Sequence, residues 1–264
     1  MNEKNIDEAS LKTRILLASI LSCNREELII KTEEILKKED EEKFLDGIER
    51  ISKGYPVEYI TNTKEFMKMK FFVNESVLIP RYDTEILVEE VLKIAKNENK
   101  KEILELCTGS GIISISLTKY FEEAKIIATD ISDEALNIAK RNARSLGQEE
   151  RIKFVKSDMF EKINRKFDII VSNPPYIKTD IIEEYSLEYE PKIALDGGED
   201  GLKFYRIIIE EGYKYLNEGG FIILEIGYDQ KEEVIEIAKT SNQYKNVTCV
   251  KDLNGNDRVI IVQR

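Results

Sequence analysis

Residues 102–130 read EILELCTGSGIISISLTKYFEEAKIIATD. EILEL is a short apolar run, too brief for a helix and closed by a glycine-containing turn, so it predicts a buried strand. After Gly109 and Gly111, IISISLTKYF predicts a helix and KIIAT a second strand. Strand, helix and strand in this order form a parallel pair with a helical crossover. The alternation continues downstream. DEALNIAKRNARSL predicts a helix, RIKFV (151–155) and FDIIVS (167–172) two strands, GLKFYRIIIEEGYKYL a helix, FIILEI a strand and DQKEEVIEIAKT a helix. VTCVKDLNGNDRVIIVQR then fits two strands joined by a turn at Asn254-Gly255. The expected fold is a doubly wound α/β domain. Its mostly parallel sheet is covered on both faces and ends in an antiparallel hairpin, and its ligands bind at the carboxyl ends of the strands.

Upstream of this pattern the chain reads as helical. Leu11, Ile15, Leu16, Leu17, Ile20 and Leu21 recur at helix spacing. Ser22 and Asn24 offer caps for a second helix over REELIIKTEEILKK. A third helix places Phe44, Leu45, Ile48 and Ile51 on one face and stops at Gly54. The mixed-charge run KKEDEEK at 37–43 reads as a solvated loop or a helix start. In KEFMKMKFFVNESVLI (64–79) two apolar runs flank Asn74-Glu75, which predicts a hairpin turning there, with Pro80 ending its second strand. Asp83 or Thr84 would cap a helix carrying Leu87, Val91 and Ile94. The expected organisation is an N-terminal helical bundle over 1–62, a β-hairpin linker over 63–82 and the α/β domain over 83–264.

The 264 residues hold 42% apolar and 34% charged side chains, enough for a sizeable core under a solvated surface. There is no histidine, which excludes Ser-His-Asp and Cys-His catalysis and His-ligated zinc, and no metal ligand set is expected. Cys23, Cys107 and Cys249 are far apart and odd in number, the usage of a reduced, cytosolic chain. A net charge of −11 argues against a nonspecific polyanion binder, and residues 1–75, with 13 basic against 16 acidic side chains, make no electrostatic nucleic-acid clamp. No secretory pattern opens MNEKNIDEAS, and no run approaches the ~18 apolar residues of a membrane span. A cytoplasmic, monomeric protein with no membrane contact is expected.

Three groups of residues carry chemistry. In Glu105-Leu106-Cys107-Thr108-Gly109-Ser110-Gly111, the glycines allow a sharp turn and a close approach to a ligand at the following helix N-terminus. The turn lacks the third glycine of a dinucleotide fingerprint and follows an acid that a pyrophosphate would not need, whereas a ligand ammonium would. Asp130, at the end of the next strand, stands where an acid binds ribose hydroxyls, while Ser132 is free to cap the helix behind it. Turn and acid together favour an adenosine-type cofactor over a purely structural turn. Asp158 is a further acceptor at the same edge, suited to an adenine amino group, with Met159 or Phe160 to cover the ring. The most specific signal is Asn173-Pro174-Pro175-Tyr176 after FDIIVS. Two prolines hold the chain extended and leave carbonyls free to accept, Asn173 adds a side-chain oxygen and Tyr176 an aromatic face. This set suits a planar NH2 on an sp² carbon.

In this order the glycine turn, Asp130 and the Asn-Pro-Pro-Tyr run resemble class I S-adenosylmethionine-dependent methyltransferases acting on a planar nitrogen. The run alone is shared by adenine-N6, guanine-N2 and protein glutamine-N5 enzymes. Pro56-Val57-Glu58-Tyr59-Ile60, Glu65-Phe66, the stretch Val77 to Glu85 (VLIPRYDTE), Glu190-Pro191 with ALDGGEDGL (194–202), Gly219-Gly220 with LEIG (224–227) and DLNGNDR (252–258) resemble the PrmC/HemK family over essentially the whole chain. Two departures stand out: Tyr82 where that family usually has proline, and ELCTGSG where DLGTGSG is more usual. The resemblance implies a seven-stranded methyltransferase sheet and methyl transfer to the glutamine of the Gly-Gly-Gln motif in peptide chain release factors. It implies that Glu105, Cys107, Thr108, Gly109, Ser110, Gly111, Asp130, Asp158, Met159 and Asn173 hold S-adenosylmethionine. Asn173, Pro174, Pro175 and Tyr176 would bind and activate the acceptor amide, and the N-terminal bundle would help dock the release factor. The competing readings are a base methyltransferase, which a pI near 4.9 disfavours, and a cofactor-binding module without catalysis, which has no need of converging acceptors.

Overall fold

A computed structural model describes residues 3–30, 35–185 and 189–264. The chain divides into two compact units, Met1–Thr63 and Lys64–Arg264.

The first unit contains α1 (Glu3–Ile20), α2 (Arg25–Ile30), α3 (Lys38–Ser52) and α4 (Val57–Thr61). Asn24 caps α2 as a reciprocal box: Glu27 N donates to its Oδ1 at 2.7 Å, and Asn24 N donates to Glu27 Oε2 at 2.8 Å. The predicted continuation of that helix over residues 31–34 lies outside the described residues, and residues 35–37 are not helical. KKEDEEK proves to be a helix start, with Glu39, Asp40 and Glu41 in the first turn of α3, where carboxylates oppose the helix dipole favourably. The expected apolar face needs correction at Leu45, which is 59% exposed. Phe44 and Leu45 are adjacent and cannot share one face. The buried residue of α3 is Gly47, packed so tightly on α1 that a Cβ there would come within 2.6 Å of Leu16 Cδ2.

The second unit opens with a hairpin, β1 (Thr63–Phe66) and β2 (Met69–Phe72). Its turn is Met67-Lys68, both at positive φ (48° and 59°), and not the predicted Asn74-Glu75. Residues 73–83 continue without regular structure, so Pro80 ends no strand. Two consecutive left-handed residues define a type I′ turn, which normally advertises itself by Asn or Gly; here neither is present. Phe66 and Phe71 are both buried and meet edge to face, ring centroids 6.2 Å apart.

Then follow α5 (Thr84–Asn97), β3 (Glu102–Leu106), α6 (Ile112–Tyr120), β4 (Lys125–Asp130), α7 (Asp133–Ser145), β5 (Ile152–Lys156), β6 (Phe167–Ser172), α8 (Thr179–Tyr185), α9 (Lys203–Gly212), β7 (Leu216–Glu225), α10 (Lys231–Thr240), β8 (Asn246–Lys251) and β9 (Asp257–Gln263). Among the described residues, seven strands form one sheet in the order β5-β4-β3-β6-β7-β9-β8. The first five are parallel, and β9 runs antiparallel between β7 and β8. The expected doubly wound architecture is therefore present, with its topological switch between β3 and β6.

Alternation along the central strands assigns each side chain to a face. Ile103, Ile169, Val171, Phe221 and Ile223 join Leu87, Val88 and Val91 of α5 on one side. Leu104, Ile170, Ile222 and Leu224 join Tyr205, Ile208 and Val234 from α9 and α10 on the other. Each fully buried aliphatic side chain contributes about 1.5–3 kcal/mol. By the same alternation Glu105 and Glu225 fall on the α5 face, both at the carboxyl ends of their strands.

Truncating the sealed Ile170 to Ala should cost about 2–5 kcal/mol in urea unfolding. Leu45→Ala, by contrast, should change stability by less than about 0.5 kcal/mol. A loss of over about 2 kcal/mol at Leu45 would contradict the packing of α3.

Candidate active site

The carboxyl ends of β3, β4, β5 and β6 surround a cavity of about 320 Å³, at the lower end of the roughly 300–1,000 Å³ of small-molecule sites. Of the residues singled out from the sequence, Cys107, Thr108, Gly109, Ser110, Asp130, Asp158, Met159, Asn173 and Pro175 line it together. Glu105, Gly111, Pro174 and Tyr176 are not among its lining residues, although Pro174 and Tyr176 belong to the same run as Asn173 and Pro175.

The glycine turn is built for close approach. Gly109 has φ +54°, and a Cβ there would meet nothing within 4 Å, so that side is open. Gly111 has φ +83°, and a Cβ would stand 3.1 Å from Ala139 and from Ile115, which only glycine avoids as α6 packs on α7. Cys107 takes the left-handed conformation too, φ +58°. That is the position where the resemblance pointed to glycine as the usual residue, and an L side chain there costs roughly 1 kcal/mol.

Two acids order this loop. Glu105 is fully buried; Thr108 Oγ1 donates to its Oε2 at 2.8 Å and Ser114 N at 3.2 Å, while Oε1 has no partner among the described residues. Burial pushes its carboxyl up to about 7, against the pull of those donors. Asp130 bridges β4 to the turn: Gly109 N donates to Oδ2 at 2.8 Å and Ser132 N to Oδ1 at 3.0 Å. Burial raises its pKa, and these bonds oppose the rise. Ser132 caps α7 by accepting from Ala135 N at 3.1 Å, as expected. Asp158 is exposed, and its carboxylate has no protein donor among the described residues. Met159 lines the cavity beside it, but Phe160 does not: it is buried and stacked on Tyr215, centroids 4.6 Å apart.

The Asn-Pro-Pro-Tyr run leaves β6 at Ser172. No described residue donates to the Pro174 carbonyl or to Asn173 Oδ1, while Asn173 Nδ2 donates to Thr84 Oγ1 at 3.2 Å. The Tyr176 hydroxyl lies 3.5 Å from Glu225 Oε1; burial, chiefly, raises its pKa. The Tyr176 carbonyl accepts from Gln230 Nε2 at 3.0 Å. The loop ALDGG folds back onto this backbone, Ile177 N donating to Leu195 O at 2.9 Å and Gly197 N to Ile177 O at 2.8 Å. A Cβ on Gly197 would reach within 2.7 Å of Tyr176 Cα, so this closeness requires glycine. Glu190 clamps the other side, pairing with Arg81 and accepting from Ile79 N at 3.0 Å.

Sequence reading missed part of the wall. Thr84 belongs to the VLIPRYDTE stretch already singled out, so its place in a motif was the available signal. Lys203 and Phe204 at the start of α9 also line the cavity, and nothing in their local sequence marks them. Among the described residues no helix is long and apolar enough to cross a membrane, and no group of acids and cysteines could hold a metal ion.

Comparison with known proteins agrees with this geometry. The family model of the PrmC N-terminal domain matches residues 1–61, and that of the Methyltransferase small domain residues 82–187. A release factor glutamine methyltransferase of Clostridium botulinum is 42% identical over 268 residues, covering 98% of this chain and 94% of the relative. The chain belongs to the release factor glutamine methyltransferase family. Another member, from Clostridium acetobutylicum, is 40% identical over 100% of this chain and 94% of its own length. The crystal structure of a methyltransferase from Pyrococcus furiosus shares the fold at 20% identity, with a TM-score of 0.54 over 75% of this chain and 89% of that one.

Two expectations follow for this member of the release factor glutamine methyltransferase family. Glu105 keeps its proton to about pH 7 when folded, against 4.5 for the ordinary carboxyl. The unfolded chain releases that proton first, so stability falls as pH rises through this window. Glu105→Gln should therefore gain about 2.5 kcal/mol relative to the parent between pH 5 and pH 8. Parallel urea curves without added ligand would show this, and an unchanged difference would refute the buried-acid account. At Cys107, substitution by Gly should stay within about 1 kcal/mol of the parent, strain relief offsetting glycine's entropy. Cys107→Val should lose at least about 2 kcal/mol, because a β-branched residue is an outlier at positive φ; equal stability of the two variants would refute the strain.

Proposed function

We propose that this protein transfers the methyl group of S-adenosylmethionine to the side-chain amide nitrogen of the glutamine in the Gly-Gly-Gln motif of peptide chain release factors. The observation that carries this reading is the Asn173-to-Tyr176 run beside the glycine-turn cavity, with two acceptors, Asn173 Oδ1 and the Pro174 carbonyl, that take no hydrogen bond from any described residue. Family membership supports the acceptor class, and the methyltransferase domain supports the methyl donor.

The cavity fits such a donor. Its open side is at Gly109, its apolar wall includes Ile112, Ile113 and Met159, and carboxylates stand at Asp130 and Asp158. Asp130 keeps unused lone pairs on both oxygens beyond its two backbone bonds, enough to accept from neighbouring ribose hydroxyls. Asp158 would take the adenine amino group. Glu105, sealed behind the turn, would fix the loop through Thr108 and Ser114. When bound, S-adenosylmethionine supplies an electrophilic methyl carried on a sulfonium.

An amide nitrogen is a poor nucleophile because its lone pair is delocalised into the carbonyl. Asn173 Oδ1 and the Pro174 carbonyl would accept from its two hydrogens, concentrating electron density on nitrogen and aiming it. Pro175 stiffens the segment and lines the cavity. Tyr176 would pack its ring against the acceptor amide, its hydroxyl lying 3.5 Å from Glu225 Oε1. The chain has no histidine to serve as a base, and the amide would lose its proton to water after attack. The N-terminal unit, matched by its own family model, would help dock the factor. The acceptor is a translation factor, so the reading carries a cytoplasmic site of action.

The test is transfer of labelled methyl to a purified release factor, run beside that factor's Gln→Ala variant and duplex DNA. Label on the unmodified factor alone supports the reading. Label on DNA would replace it with base methylation, and label on neither, despite cofactor binding, with a non-catalytic module. Asn173→Ala should lower transfer about 100-fold or more while cofactor affinity holds within about threefold.

A further inference from the structure

The Asn173-to-Tyr176 run contains two prolines, which have no N–H, so groups outside the strand ladder must hold its backbone. The peptide unit joining Tyr176 to Ile177 is gripped at both of its polar ends. Its N–H donates to Leu195 O at 2.9 Å, and its carbonyl accepts from Gln230 Nε2 at 3.0 Å. Gln230 stands just before α10, is 7% exposed and is not among the residues lining the cavity. A second bond from Nε2 runs to Gly201 O at 3.3 Å, in the loop before α9. At the other end of the carboxamide, Oε1 accepts from Gly227 N at 2.9 Å, with the Tyr205 hydroxyl 3.3 Å away. A Cβ on Gly201 would come within 2.6 Å of Tyr176 O and 2.8 Å of Nε2, so these segments close on the amide with no room for a side chain.

The direction of this amide is set by groups that have no choice. A backbone N–H only donates and a backbone carbonyl only accepts. Gly227 N therefore takes the oxygen, and the Tyr176 and Gly201 carbonyls take the two hydrogens of the NH2. We propose that Gln230 is a positioning residue for methyl transfer, holding the Tyr176–Ile177 peptide so that the Pro174 carbonyl and Tyr176 keep the placement the acceptor amide needs; this rests on the methyl-transfer reading above. Proline fixes φ at 174 and 175, so the run moves as a stiff piece. Fixing its end at Tyr176 therefore places the Pro174 carbonyl two residues back. A glutamate at 230 would keep the length and the acceptor toward Gly227 but would set a carboxyl oxygen against two carbonyl oxygens. Ionised, it donates neither bond; protonated, at most one.

The decisive variant is Gln230→Glu. It should lower kcat for factor methylation about 10–100-fold, with KM for the factor within about threefold of the parent and the cofactor dissociation constant by calorimetry within about twofold. A role confined to capping Gly227 would leave kcat of this variant within about twofold, and that result overturns the proposal. In an Asn173→Ala background the same substitution should cost less than about threefold more, because its effect passes through the acceptor run. Full additivity would also overturn the proposal. Independently of turnover, hydrogen exchange at the Ile177 amide should quicken about tenfold or more, while Ile170 inside β6 is unchanged. An unchanged Ile177 amide is a third overturning result. Should Gln230→Glu not fold, Gln230→Met, which removes the donors without adding charge, carries the same additivity and exchange expectations. Failure of the functional reading shows separately, as a parent protein that leaves the factor unlabelled, and the exchange measurement still decides the positioning.

Discussion

A carboxyl group sealed inside a sheet must find hydrogen-bond donors or stay protonated, and that requirement shapes both ends of this site. Glu105 is paired on its two sides with Ala128 and Val171 of the neighbouring strands. Its donors come from the loop and helix that follow: the Thr108 hydroxyl and the Ser114 amide, nine residues on. The turn that brings these donors round leads from β3 into α6 with Cys107, Gly109 and Gly111 in left-handed conformations. Asp130 completes the turn from the next strand by taking the Gly109 amide. At the far side of the same face, Glu225 is likewise buried, with the Tyr176 hydroxyl 3.5 Å from its Oε1. Cavity and acceptor edge are thus each backed by a buried acid.

The opposite face of the sheet carries a different load. Tyr205 is fully buried there, and its hydroxyl donates to Glu225 O at 3.0 Å. Gln230, reaching across from the start of α10, donates to the Tyr176 and Gly201 carbonyls and accepts from Gly227 N. These bonds pin the run after β6 from below, while Arg81 and Glu190 pin the loop that follows it. A backbone segment containing two prolines cannot join the ladder of a strand, so it depends on such outside supports to hold one conformation.

Strand and helix order was legible because period two and period 3.6 leave direct marks in the sequence, and the ends of β3, β4 and β6 then located the glycine turn, Asp130 and Asn173. Other features leave no such mark. The hairpin turn at Met67-Lys68 uses residues that rarely adopt positive φ, so the sequence pointed to Asn74-Glu75 instead. Gly47 reads as a helix-weakening residue until the Leu16 side chain is seen against it. Tyr176 read as an aromatic face, and the sequence could not show that its hydroxyl meets Glu225, 49 residues away. Phe160 was legible as an aromatic near the cofactor edge, but Tyr215 claims its ring. What local pattern cannot encode is the choice between partners that only the tertiary fold brings together.

The position of β9 has a consequence for how the protein comes into being. Residues 257–263 lie inside the sheet, between β7 and β8, and bring Arg258 to the acids behind Asn173. On the ribosome, β3 to β7 emerge well before this strand does. During that interval β8 has no neighbour, and Asp83 and Asp252 lack the guanidinium of Arg258. The hydrophobic layers can collapse early, but the acceptor edge waits for one late, long-range insertion, the kind of pairing that closes slowly. An enzyme of this build is kept from being competent until nearly all of the chain described here has been made.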